Sequence, residues 1–197
     1  MNSSRAPSHW PLGEDHPCHY LGVMSLTDLY FAYGADMDLA TVKARAGGAQ
    51  VVAPARLVGY RVAFFGHNPV WDSGLETLVA EVEAETWGVL YRLRAAEWDR
   101  LDACVGATIE GSGAYFHYPV EVVTSNDERC QVRTYRKSSQ GKTGQPSTEY
   151  LDFLIRSAAS QGVPVTYQDI LRALPSTAAK YCVPRMAPGG RLHLPLL

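Results

Sequence analysis

Extended runs rich in Val, Leu and aromatic residues dominate the chain between positions 29 and 135, and they do not alternate one for one with helices. Residues 29–33 read as a strand that stops at Gly34; Asp36 or Asp38 stands where it can cap a short helix through about Arg45, ended by Gly47-Gly48. Residues 51–65 form one long bent strand or two, broken at Gly59. After a polar turn at His67-Asn68-Pro69, residues 78–83 and 87–93 read as the two strands of a hairpin, and 115–123 and 131–135 add two more strands. A doubly wound sheet would need a regular β-α-β-α order, so the pattern predicts an α/β protein of the α+β kind. The expected fold is a small mixed β-barrel of about six strands with inserted and flanking helices.

Three helical stretches follow from apolar spacing. Residues 95–104 place Trp98, Leu101 and Cys104 on one face. Ser147 opens an amphipathic helix with Tyr150, Leu151, Leu154, Ile155 and Ala158 inward, ending near Gly162. Thr166 is the expected cap of a last short helix carrying Ile170 and Leu171. These elements define a domain over 27–174, between a polar, Pro-containing tail at 1–26 and a Pro- and Gly-rich tail at 175–197.

A chain of 197 residues supports one domain with a sizeable core, and 46% apolar with 19% charged residues is a globular composition. A net charge of -2 without a basic run argues against nucleic acid as a partner, because phosphate neutralisation needs clustered Lys and Arg. No apolar stretch approaches the roughly 20 residues that span a bilayer, and the first 19 residues lack the apolar centre of a secretory signal. Cys18, Cys104, Cys130 and Cys182 are scattered without a C-x-x-C pair, which points to reduced thiols and a cytoplasmic location. His9, His16 and His19 beside Asp15 and Cys18 lack the order of a preformed metal site, so no metal is expected.

Four features in order carry a resemblance. They are Tyr30-Phe31-Ala32-Tyr33-Gly34-Ala35-Asp36-Met37; Ala55-Arg56-Leu57 with the strand after it; Thr86-Trp87-Gly88-Val89-Leu90-Tyr91 leading through a helix to Leu101-Asp102; and Gln145-Pro146-Ser147 with Tyr150, closed by Gly162-Val163-Pro164. Their order and spacing, over residues 28–174, resemble the gamma-glutamylcyclotransferase-like family. The resemblance implies release of 5-oxoproline from a γ-glutamyl amide, with the substrate's α-amine attacking its own γ-carbonyl. It implies no cofactor, a small-molecule substrate as partner, and a homodimer, for which the apolar residues 192–197 are a candidate contact. The turn Tyr33, Gly34, Ala35, Asp36, Met37 would line the pocket with backbone amides, and Tyr150 would reach the substrate. One carboxyl would carry the proton from amine to leaving group.

The sequence departs from the family at that carboxyl. Where the family has L-D-x-x-E-G, this chain has Leu101-Asp102-Ala103-Cys104-Val105-Gly106, and valine cannot transfer a proton. The loop between Gly106 and Tyr115 is longer than usual by about three residues and contains Glu110, the expected catalytic replacement, with Glu83, Glu81 or Asp36 next in line. Ala35 and Asp36 stand for a serine and an asparagine. Asp36 either faces the pocket, where its charge disfavours the α-carboxylate of a γ-glutamyl group, or caps the next helix. These departures leave open a pocket turned to lyase or hydrolase work on a specialised metabolite, or to binding without catalysis. Glu81, Glu83 and Glu85 read chiefly as a solvated strand face. Cys104 reads as a small core residue, with a nucleophilic role beside His117 or His67 as the sharper option. Trp71, Trp87 and Trp98 read as core or pocket-wall aromatics.

Overall fold

The computed structural model describes residues 28–108 and 111–185. Five strands close into a barrel in the order β1-β3-β2-β4-β5: β1 (Leu29–Ala32), β2 (Gln50–Asn68), β3 (Ser73–Arg92), β4 (Tyr115–Thr124) and β5 (Arg129–Lys137). The barrel is mixed because β1 lies antiparallel to β3 but parallel to β5, joined at Tyr30↔Arg133. It has five strands where about six were expected. Residues 78–83 and 87–93 are not a hairpin; nearly all of both stretches lies within β3, which pairs antiparallel with β2 along most of its length. No turn-forming residue separates the two stretches, so the chain bulges instead of reversing. The register passes from Val58↔Glu85 to Tyr60↔Ala80, so residues 81–84 of β3 face only Gly59 of β2, whose φ of 82° suits glycine.

Helix α1 (Leu39–Ala46) and helix α2 (Ala95–Val105) end on Gly47 and Gly106, both left-handed. Trp98 and Leu101 of α2 are buried, and Cys104 is half-buried. Helix α3 (Thr148–Ser160) starts as expected, with the Ser147 hydroxyl accepting from the Tyr150 N–H at 3.2 Å, and it buries all five predicted inward residues. Helix α4 (Val165–Arg172) begins after Pro164, so Thr166 lies inside its first turn rather than capping it; Leu171 is buried and Ile170 exposed. None of these helices is long and apolar enough to cross a membrane.

Close packing explains one motif of the sequence. A Cβ at Gly88 would sit 2.3 Å from the Ala32 carbonyl oxygen and 2.8 Å from the Phe31 ring, so the Trp87-Gly88-Val89 run lets β3 lie tightly against β1. Beyond α4, residues 175–185 are tied to the β2–β3 turn and to α3: the Lys180 N–H donates to Asp72, the Tyr181 hydroxyl to the Pro69 carbonyl and the Thr148 N–H to the Thr177 carbonyl. The proposed 1–26 tail and the contact residues 192–197 lie outside the described residues.

Candidate active site

β1 ends at Ala32, and the chain turns through Tyr33-Gly34 into a 3₁₀ turn at Ala35–Met37, closed by Met37 N–H to the Gly34 carbonyl at 2.9 Å. Asp38, not Asp36, caps α1: its carboxylate accepts from the Thr41 N–H and hydroxyl, each at 2.8 Å. Asp36 is thereby turned inward. One of its oxygens meets Arg45 Nη1 at 2.7 Å and the other accepts from the Tyr30 hydroxyl at 2.9 Å, with only 4% of the residue exposed. Burial alone would lower the Arg45 pKa, but the charge of Asp36, together with smaller contributions from Tyr150, Glu76 and Tyr30, outweighs it and holds the guanidinium protonated. Removing either partner alone would strand a buried charge, at about 3–5 kcal/mol.

This pair forms one wall of a cavity with about 50 Å³ of free space, lined also by Tyr33, Gly34 and Ala35, by Leu75 and Glu76 of β3, by Val105 at the end of α2, and by Tyr115, Tyr135 and Tyr150. Val105 faces the cavity, so the position where the family keeps its glutamate is in place and carries no carboxyl. Glu76 supplies one from β3 instead. It is half-buried, its Oε1 lies 3.4 Å from the Ala35 N–H, and a Cβ on Gly34 would come within 2.2 Å of the same oxygen. The Tyr115 hydroxyl fixes the strand there by donating to the Glu76 carbonyl at 3.1 Å. Burial first, and the Glu76 carboxylate next, hold the hydroxyls of Tyr150 and Tyr115 well above the usual tyrosine pKa, so both stay protonated as donors.

Of the residues expected from sequence, the structure brings Tyr33, Gly34, Ala35, Asp36 and Tyr150 together. The Tyr33 hydroxyl donates to the Tyr135 carbonyl at 2.7 Å, which makes Tyr33 a wall fixed to β5. Met37 is fully buried in the core, its carbonyl accepting from Tyr91. Glu110 lies outside the described residues. Glu81 and Glu85 pair with Arg61 and Arg56 on the outer face of the hairpin, and Glu83 is exposed. Cys104 Sγ lies 3.7 Å from the Arg45 carbonyl, and burial raises its pKa, which disfavours a thiolate. His67 bonds Asp72 at 2.8 Å, while His117 meets Asp102 at 2.6 Å and Arg133 at 3.1 Å, so neither serves the thiol as base. Trp71 is a pocket wall, stacked on Phe153 at 5.0 Å and tilted against Tyr150 at 5.1 Å.

Glu76 is the residue that sequence reading missed. Its signal is one charged side chain inside the otherwise apolar stretch from Leu75 to Ala80, flanked by Thr77. Together the cavity offers a carboxyl for proton transfer, an amide from the turn, a buried cation and protonated tyrosines. Such a set suits acyl chemistry on a small polar molecule.

A sequence profile of the AIG2-like family matches residues 85–171. Human gamma-glutamylcyclotransferase is 27% identical over 150 residues, 74% of this chain and 78% of that protein. The mouse protein of the same name is 27% identical over 152 residues, 75% and 79% of the two chains. A solved structure described as a gamma-glutamyl cyclotransferase superposes with a TM-score of 0.72 at 26% identity, covering 79% of this chain and 92% of that one. The crystal structure of an uncharacterised human protein does so at 0.73 and 26%, with the same coverage. Barrel, turn and relatives agree: the chain is similar in sequence and fold to the gamma-glutamylcyclotransferases.

Proposed function

We propose that the protein is a cyclotransferase that releases 5-oxoproline, or a close analogue, from a γ-glutamyl-type amide, with Glu76 carrying the proton. The observation behind this reading is the Glu76 carboxyl, set in the cavity that also holds Val105, the Gly34 turn and Tyr150. The substrate's α-amine attacks its own γ-carbonyl; the new C–N bond closes the five-membered ring, and the bond to the leaving amine breaks. Glu76 takes the proton from the attacking nitrogen and returns it to the departing one. Holding the chain folded for attack supplies a further several kcal/mol, up to about 7–11 when alignment is good. The Ala35 amide, 3.4 Å from Glu76 Oε1, is the donor in place for the developing oxyanion once the substrate displaces the carboxylate from it.

The test is 5-oxoproline release from a γ-glutamyl amide by Glu76→Gln and Glu110→Gln. Glu76→Gln is expected to lose about 10²- to 10⁴-fold in kcat, and Glu110→Gln to keep near-full activity. The reverse pattern would move the proton carrier to the 106–113 loop. No release by the parent protein under any condition would favour the repurposed pocket, whose support is the replacement of asparagine by Asp36 and of glutamate by Val105. The same reading makes the working unit a cytoplasmic homodimer, which a monomer in sedimentation would rule out.

A further inference from the structure

Arg45 holds more hydrogen-bonding capacity than its visible partner uses. A guanidinium has five N–H donors in a fixed fork. Here a single one, on Nη1, reaches Asp36, because the second Asp36 oxygen is taken by Tyr30 and cannot make a side-on pair. Arg45 Nε is buried without an acceptor, although the side chain is only 9% exposed and lines the cavity. An orphaned donor on a buried cation is costly, and it marks a place where an anionic group completes the arrangement. Glu76 lies in the same small cavity.

We infer that Arg45 is the carboxylate receptor of this pocket, held in place by Asp36, and that it selects ligands bearing a carboxylate on the carbon that also bears the reacting amine. This rests on the cyclotransferase reading for the identity of the amine. An α-amino acid head carries both groups on one carbon: the carboxylate goes to the guanidinium and the amine to the Glu76 carboxyl. Asp36 then does not repel the substrate's carboxylate, as a bare aspartate at that position would. Its charge is consumed in orienting the arginine, which makes it a positioning residue.

The experiment compares binding of 5-oxoproline with that of 2-pyrrolidinone, the same ring without the carboxylate, by calorimetry. The parent protein is expected to prefer 5-oxoproline by on the order of 10- to 100-fold, the range of one charge-assisted hydrogen bond or slightly more. Asp36→Asn, which keeps the guanidinium but removes the charge that orients it, should lose much of that preference while still binding both rings. The double variant Asp36→Asn with Arg45→Gln removes both buried charges together and should bind the two rings equally. A preference surviving in the folded double variant, or absent from the parent, or no binding of either ring, overturns the inference. Should the double variant not fold, the Arg45 Nε–H resonance of the parent decides. It must move on titration with 5-oxoproline and stay fixed with 2-pyrrolidinone; an unmoved signal overturns the assignment. Loss of the proton-carrier reading would look different: Glu76→Gln would turn substrate over normally while the ring preference stayed intact.

Discussion

Gly34→Ala puts one methyl group where the cavity has no room for it. Gly34 has φ -117° and ψ -141°, so no left-handed backbone is at stake and alanine is excluded by space alone. Its Cβ would lie 2.2 Å from Glu76 Oε1 and 2.8 Å from both Cδ and Cγ. These atoms are the movable end of a flexible side chain, so the fold yields by swinging Glu76 away at the cost of an off-rotamer torsion, about 0.5–1.5 kcal/mol. For a chain of this size that is a fall in Tm of roughly 1–6 °C. Activity should fall far more, by about the 10²- to 10⁴-fold expected of losing an acid/base group. The assay is a double-mutant cycle of Gly34→Ala and Glu76→Ala, read by denaturant unfolding and by rate. Once Glu76 is truncated, Gly34→Ala should cost almost nothing further in either readout, giving a coupling of about 0.5–3 kcal/mol. Additive effects, or a fully active Gly34→Ala protein, would refute the placement of Glu76 against the turn.

Tyr150→Phe removes the hydroxyl beside Glu76 and should lower kcat on the order of tenfold or more while the circular dichroism stays unchanged, since the ring's packing against Trp71 survives. Asp102 has its pKa lowered: burial opposes this, but hydrogen bonds from His117 and Tyr135 outweigh it. Its stabilising effect is therefore complete above about pH 4 and is lost as pH falls through the lower folded value, so the stability gap between the parent and Asp102→Asn should shrink on acidification below that point in chemical denaturation. Leu154→Ala empties a fully packed position of α3 and should destabilise by about 2–5 kcal/mol in urea unfolding without altering the kcat of the folded fraction.

The fold was legible where local chemistry decided it. Gly47 ends α1, Ser147 starts α3, and the 3.6-residue spacing placed the inner face of α3 correctly. The hairpin error at 78–93 arose because a bulge opposite Gly59 and a turn leave the same weak trace in sequence, and only the pairing partner distinguishes them. Asp36 and Asp38 offered two equivalent caps; the choice was made by Arg45, nine residues from Asp36, and by the Tyr30 hydroxyl. Glu76 was hidden because both faces of β3 are largely buried between Ser73 and Leu78, so alternation carries no inside–outside information there.

The parallel seam between β1 and β5 has a consequence for how the cavity comes into being. It joins chain segments far apart, as the Thr134 hydroxyl bonding the Phe31 carbonyl across 103 residues shows. Tyr33 is tied to Tyr135 by a contact of similar reach, and Tyr150 arrives from farther along the chain. Loop-closure entropy penalises such contacts until the intervening hairpins have formed, so closure of the seam is expected late in folding. A partly folded chain with its long β2–β3 hairpin already zipped would own the Glu76 carboxyl but neither the Tyr135 nor the Tyr150 wall around it. The pocket is thus a property of the closed ring of strands, and a chain still open at that seam has nowhere to hold a substrate.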